Sequence, residues 1–480
     1  MGFGGRIGRT LRLPARRGRR IAVVVGVLVV AVGVGTGLGL GAPVLAGYLT
    51  GPGPAAAIRP PPEPVIPHPA LRPATVDGPV PTSAGVSAAL DPLVAAGELG
   101  ALSGQVVDPA TGTVLWQREP EVPRVPGSTV KLLTSAAALL ALDHQARWHT
   151  TVLAGAEPGT VVLLGGGDPT LSAAGAGAVT GYPGAARLDD LVAAVRAAVP
   201  GPVRRVLVDT GRYTGDTLAP GWPPADVAGG YIAPIESVML DGGRADPTED
   251  TSPRSATPAI AAAAELARRL GADPATPGAV AVGSAPPGAA VLGVVPSAPV
   301  QDLVTALLTR SDNVLAEALA REVARATGAP ASFAGATQAV LAVLRGHGFD
   351  VSRVSLVDGS GLSPQDVVPA RLLTGLLSAA AAPDESQWLT ATLRPLLVGL
   401  PVAGSSGTLA RRYDGPAAGG RGWVRAKTGT LTGVNSLAGT VLDADGRVLV
   451  FALLSNGPNP SVTRPRLDAL ATQLRACGCH

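Results

Sequence analysis

The chain has 480 residues, a formal net charge of +3, 46% hydrophobic and 15% charged residues. That length suits two or three domains with an ample core, and the near-neutral balance gives no basic footprint for nucleic acid. Four Phe and five Tyr are too few for a base-stacking platform, and no H-E-x-x-H pair occurs, His144 and His149 being five apart, so no metal site is expected.

The 38 basic residues comprise 36 arginines and only two lysines, Lys131 and Lys427. A solvated lysine is replaced by arginine at little cost. A lysine that must give up its proton is not, because a guanidinium stays charged at any biological pH. A small ammonium in a tight pocket is equally hard to replace. Both lysines are therefore candidates for chemistry.

In chain order, seven arginines between Arg6 and Arg20 come first, with no acidic residue among them. Ile21 to Leu49 then runs without a charge, long enough to cross a hydrocarbon core of ~30 Å as a helix. The arginines place its start in the cytoplasm and the rest of the chain outside. This predicts a single-pass membrane anchor; the competing reading is a cleaved signal peptide, with Val44 to Ala46 as its cleavage site and a secreted product. Pro52 to Pro81 holds eleven prolines in thirty residues, an extended spacer rather than a core.

The globular part is expected from about residue 84. The stretch "SGQVVDPATGTVLWQR" predicts a hairpin turning at Asp108 to Gly112. "VPGSTVKLLTSAAALLAL" predicts a helix starting near Ser128. Residues 151–296 are rich in Gly and Pro, with short strands and two helices, and a long helical region is expected from Val300 to Thr327 and beyond. The end reads as a strand around Lys427, a hairpin turning at Asp443 to Gly446, and a last helix. Strands at both ends with helices between predict an α+β layer fold whose sheet is built from both termini. Cys477 and Cys479 predict a small, strained disulfide in a frayed tail; with His480 they are too few to make a metal site.

Three short motifs carry chemistry. Ser128 and Lys131 form Ser-x-x-Lys, which puts both side chains on one helix face, and a neutral lysine can take the proton of a serine nucleophile. Ser311-Asp312-Asn313 falls near a helix start. Lys427-Thr428-Gly429-Thr430 falls on a strand, where the glycine lets another backbone approach. Each is weak alone, and the three in this order are the set used by active-site-serine penicillin-binding proteins and class A β-lactamases.

With these residues in place, the chain resembles the D-alanyl-D-alanine carboxypeptidases/endopeptidases of the class C, penicillin-binding-protein-4 type. The likeness runs from about Ala89 to Ala476 and includes "LLGGGDPTL", "GYIAPIESVMLDGG", "DGSGLS", "LPVAGSSGTL" and "AKTGTLTGVNSLAG". The resemblance implies a β-lactamase/transpeptidase-like serine fold: a sheet flanked by helices plus an all-helical part, made of residues 84–150 and 297–480. An inserted subdomain would span 151–296, behind a basic tail (1–20), a transmembrane helix (21–49) and a linker (50–83). Ser128 would attack peptidoglycan stem peptides between two D-alanines, with Lys131 as base and Ser311 as proton relay. Asn313 would bond Lys131 and the substrate amide, and Lys427 would supply fixed positive charge. Thr428 or Thr430, beside Gly429, would hold the terminal carboxylate, and the Ser128 and Thr430 N–H groups would form the oxyanion hole. β-Lactams would be inhibitors, and no cofactor is implied. From Ser128 to Ser311 is 183 residues, wider than in class A β-lactamases and most transpeptidases. Two other readings stand beside this one, a β-lactamase-like hydrolase and a catalytically inactive wall-binding protein.

Overall fold

The computed structural model describes residues 78–457 and 459–479. The expected basic tail, transmembrane anchor and most of the linker lie outside the described residues. Among the described residues no helix is long and apolar enough to cross a membrane.

One five-stranded antiparallel sheet is made from the two ends of this unit. β1 (Ala101–Asp108) and β2 (Thr113–Arg118) form the expected hairpin, and β8 (Val424–Leu431), β9 (Val434–Leu442) and β10 (Val448–Asn456) come from the C-terminal part. Their order is β2-β1-β10-β9-β8, which leaves β8, the strand of Lys427, at an edge. Side chains alternate across β10 with the two-residue period of a strand. Val450, Ala452 and Leu454 join the larger helical core, whereas Leu449, Phe451 and Leu453 face the other way. On that second face pack α1 (Ser83–Ala95) and the last helix, α9 (Pro460–Ala476).

The larger core is helical. It gathers α2 (Val130–Ala141), α5 (Val300–Arg310), α6 (Asn313–Ala326), α7 (Phe333–Gly346) and α8 (Ala370–Ala381). α2 is buried along most of its length, Val130 to Leu139, because it runs through the middle of this core, as its largely apolar sequence, broken by Lys131, Thr134 and Ser135, allows. The long helical region expected from Val300 is two helices, divided at Ser311 and Asp312, where the sequence placed a helix start. Ser311 caps α5 in the left-handed region at φ 61°, a conformation costing roughly 1–3 kcal/mol in a residue with a Cβ. Asp312 then starts α6, its carboxylate accepting from the Leu315 N–H at 2.8 Å. Capping chemistry, invisible to hydrophobic periodicity, divides the helix there.

A second sheet occupies the middle of the chain. β3 (His149–Ala154), β4 (Thr160–Leu164), β5 (Arg205–Asp209), β6 (Val280–Val282) and β7 (Val291–Pro296) stand in the order β6-β5-β4-β3-β7. α3 (Leu188–Ala198) and α4 (Pro258–Leu270) share its core. Residues 213–239 of the same region pack as a separate cluster against Val314 and Phe333, beside the start of α6.

The tail is docked rather than frayed. Cys477 and Cys479 are disulfide-bonded, Cys477 is buried, and the Cys479 carbonyl accepts from the Thr82 N–H at 2.6 Å. Thr82 is also the N-cap of α1, accepting from Gly85 N–H at 3.0 Å. Two segments far apart in sequence meet there, and no local sequence pattern could have revealed it.

Candidate active site

Ser128 lies in a single 3-10 turn, Gly127–Thr129, that leads directly into α2. Three residues on, Lys131 is in the first turn of α2, so both side chains share one face. Lys131 is 0% exposed, and its Nζ has three partners: Ser128 Oγ at 3.0 Å, Asn313 Oδ1 at 2.5 Å and the Ser360 carbonyl at 2.6 Å. Two of these are pure acceptors. A neutral amine has two N–H bonds and one lone pair, so donating to Asn313 and Ser360 leaves the lone pair for the Ser128 hydroxyl. Burial, partly opposed by Asp358 and Glu317, lowers Lys131 from the usual lysine range to about 8. That is near enough to neutrality for a general base.

Ser311 is held by the second lysine. Lys427, also 0% exposed, donates to Ser311 Oγ at 2.7 Å and to the Thr428 carbonyl at 2.8 Å. Burial, with the charge of Lys131 nearby, pushes Lys427 well below its ordinary value. An incoming carboxylate would act against this, since an anion favours the protonated amine.

The edge position of β8 gives the site its second wall. Ala403 N–H donates to the Val424 carbonyl and Ala426 N–H to the Pro401 carbonyl, both at 2.9 Å, so alternate residues of β8 direct their peptide groups away from β9. By the same alternation the Thr430 N–H faces outward. A Cβ on Gly127 would lie 3.0 Å from Thr430 N, and one on Gly429 would lie 2.1 Å from Ser436 Oγ, 2.3 Å from the Pro126 carbonyl and 3.1 Å from Ser128 N. Only glycine fits at 429. The two peptide N–H groups of Ser128 and Thr430 thus flank one narrow gap, an arrangement suited to a developing oxyanion. Thr428 Oγ1 bonds Thr408 Oγ1 at 2.8 Å.

Asn313 is held from two sides, its Oδ1 by Lys131 and its Nδ2 donating to the Tyr231 carbonyl at 2.9 Å. Asp312, between the two motif residues, points the other way. Its Oδ2 accepts from Tyr182 Oη and Arg244 Nη2, each at 2.7 Å. Burial acts to raise its pKa, but the Arg244 and Arg254 guanidiniums outweigh it and hold the carboxyl well below the usual range.

A third loop closes the site from behind. Asp358 Oδ1 accepts from the N–H groups of Ser360 and Gly361, and its Oδ2 from Ser363 N–H and Trp222 Nε1, at 2.6–3.0 Å. Gly361, at φ 76°, passes so close to the Ser128 turn that a Cβ would lie 2.0 Å from the Gly127 carbonyl.

The structure therefore brings Ser128, Lys131, Ser311, Asn313, Lys427, Thr428, Gly429 and Thr430 into one site. Sequence reading assigned no role to the Ser360 carbonyl, Thr408, Tyr231, Trp222, Glu317 or Arg244. "DGSGLS", "LPVAGSSGTL" and "GYIAPIESVMLDGG" were the available signals. Several of these partners act through backbone groups, which no side-chain pattern reports.

An edge strand, a buried serine–lysine helix and a helical half on one face of the sheet define the class: a transpeptidase-like serine fold. Residues 86–252 and 247–477 match the D-Ala-D-Ala carboxypeptidase 3 (S13) family, and the chain belongs to that family. It is 49% identical over 428 residues to a carboxypeptidase of Mycobacterium tuberculosis, covering 88% of this chain and 90% of that protein. It is 48% identical over 428 residues to carboxypeptidase DacB of Mycolicibacterium smegmatis, covering 88% and 91%. The fold is that of penicillin-binding protein 4 from Haemophilus influenzae, with a TM-score of 0.65 at 21% identity over 82% of this chain and 98% of that one.

Proposed function

We propose that the protein is a serine-type D-Ala-D-Ala carboxypeptidase that cleaves peptidoglycan stem peptides through an acyl-enzyme on Ser128. The observation that carries this reading is the saturation of Lys131 by two acceptors, which aims its lone pair at Ser128 Oγ.

Lys131 takes the Ser128 proton as Oγ attacks the carbonyl of the penultimate D-alanine. The tetrahedral oxygen is met by the Ser128 and Thr430 N–H groups. Lys427 and Thr428 take the terminal carboxylate. Ser311, bonded to Lys427, passes a proton to the departing amine, so the C–N bond breaks and D-alanine leaves. Water then hydrolyses the ester. A β-lactam acylates the same oxygen, but its ring-opened amine stays tethered.

The β-lactamase reading is disfavoured by the local carboxylates. Asp312, Glu317 and Asp358 each engage both oxygens with protein donors, which leaves them unsuited to activating a deacylating water. We also read residues 21–49 as a membrane anchor that keeps this domain outside the cell. Seven preceding arginines and the uncharged run support that reading, and membrane fractionation of the full chain against a 21–49 deletion tests it.

The central test treats residues 78–480 with labelled penicillin and with a peptide ending in D-Ala-D-Ala. Covalent label on Ser128 and release of D-alanine, both lost in Ser128→Ala, are expected. A wild-type protein that takes no label overturns the proposal. Rapid penicillin turnover without D-alanine release instead identifies a β-lactamase.

A further inference from the structure

Glu317 is a buried acid to which the reaction above assigns no step. It lies four residues after Asn313 on α6, one turn further along the same face, and is 1% exposed. Among the described residues no arginine hydrogen-bonds it. Arg321, one turn on, directs its Nη groups to the carbonyls of Thr214, Ala331 and Asp216. Instead both Glu317 oxygens accept from a single peptide, the Gly359 N–H, at 3.0 Å each.

A buried carboxyl is costly to keep, and its partners are the Gly359 N–H and the Ser360 side chain, so where that loop leads is informative. The Gly359 carbonyl is also tied, accepting from Thr134 Oγ1 of α2 at 2.6 Å. The next carbonyl along the chain is that of Ser360, the acceptor of Lys131. Gly359 itself has no slack, since a Cβ there would sit 2.8 Å from Ala320 Cβ.

We propose that Glu317 is a positioning residue for Lys131: by gripping the Gly359 N–H it fixes the Ser360 carbonyl, and so keeps the lone pair of Lys131 on Ser128. α6 then sets both acceptors of the lysine, Asn313 directly and Ser360 through Glu317. Without that grip the loop peptide can turn, one amine N–H is released, and the lone pair is no longer confined to the serine.

The charges around Lys131 are consistent with this. Asp312 faces Arg244, Asp358 is saturated by four donors, and Lys427 is bonded to Ser311. Burial and the neighbouring Asp358 push Glu317 up to about 8. Its charge is one of those that partly oppose the effect of burial on Lys131. Asp366, which accepts from the Val357 N–H at 2.8 Å, is likewise raised, to about 10, by burial and by Asp358.

The proposal rests on acylation of Ser128, so wild-type labelling by penicillin is measured first, and its absence would count against that reaction alone. Glu317→Gln keeps an acceptor oxygen; Glu317→Met fills the space without one. The rate constant of penicillin acylation and the dissociation constant of the preceding complex are measured separately for each. The Met variant should acylate at least about tenfold more slowly with an unchanged dissociation constant, and the Gln variant should remain within about threefold of wild type. Thr134→Val, which frees the adjoining Gly359–Ser360 peptide from α2, should slow acylation in the same way and serves as the readout if the Met variant does not fold. Equal losses in Gln and Met variants, or rates within about twofold of wild type in both the Met and Thr134→Val variants, would overturn the proposal.

Discussion

Arg244 donates to the carboxylate of Asp312 at 2.7 Å, with both side chains almost fully buried. The pair joins the middle region of the chain to the residue that starts α6 and lies between Ser311 and Asn313. Assembly of the site is therefore coupled to the fold of a segment whose own sheet is elsewhere.

Removing one partner of a buried pair strands the other. Arg244→Met should cost about 3–5 kcal/mol, read as a lower midpoint in denaturant unfolding at pH 7. The sign of its pH dependence follows from the depressed carboxyl. In wild type, Asp312 contributes stability that is present above the unfolded value of about 3.9 and lost as pH falls further. In the variant the carboxyl loses its cation and protonates earlier on acidification. The gap between the two proteins should narrow from pH 7 to pH 4, and a constant gap would show that the ion pair is not its source.

Lys131 must be unprotonated to act, and burial brings it to about 8. The acylation rate should rise with pH, by about tenfold per unit below that value, and level off above it. Lys131→Arg cannot supply a base at any of these pH values, and acylation should fall by about 10²–10⁴. Stopped-flow or quenched labelling from pH 6 to 9.5 measures both.

Gly429→Ala should separate the two oxyanion donors. Its methyl group would meet Ser436 Oγ and the Pro126 carbonyl inside 2.5 Å, forcing β8 away from the Ser128 turn. Because β8 is an edge strand, the domain should still fold. Acylation should drop by about 10²–10³, with a near-native circular dichroism spectrum.

The Thr408 hydroxyl fixes that of Thr428. Thr408→Val removes a bond worth about 0.5–1.5 kcal/mol, so KM for a D-Ala-D-Ala peptide should rise by about three- to tenfold while kcat changes little. A fall in kcat alone would place Thr408 in a different role.

How much of this was legible beforehand varies with the physics involved. The hairpin at Asp108–Gly112 and the strand–hairpin–helix at the end follow from alternation and turn residues, which are local. Lys131 and Lys427 stood out because arginine cannot replace a lysine that titrates. The helix start near Ser311 was legible as a Ser-Asp-Asn run, whereas the left-handed cap at Ser311 that ends the preceding helix leaves no trace in the apolar pattern. Arg244 and Glu317 were missed for another reason. Their partners lie 68 and 42 residues away, and one of those partners is a peptide N–H with no identity in the sequence.

The meeting of Thr82 with the Cys479 carbonyl has a mechanical consequence. The Gly78 carbonyl accepts from Arg447 Nη1 at 2.8 Å, and the same guanidinium holds Asp108 at 2.7 Å. Tension entering along the chain from the proline-rich side would thus be carried first by Gly78, Thr82 and the tail, on the face of the sheet lined by α1 and α9. Ser128 and Lys131 belong to the opposite face. A pull applied at Gly78 would meet these bonds and the strands before it reached the serine.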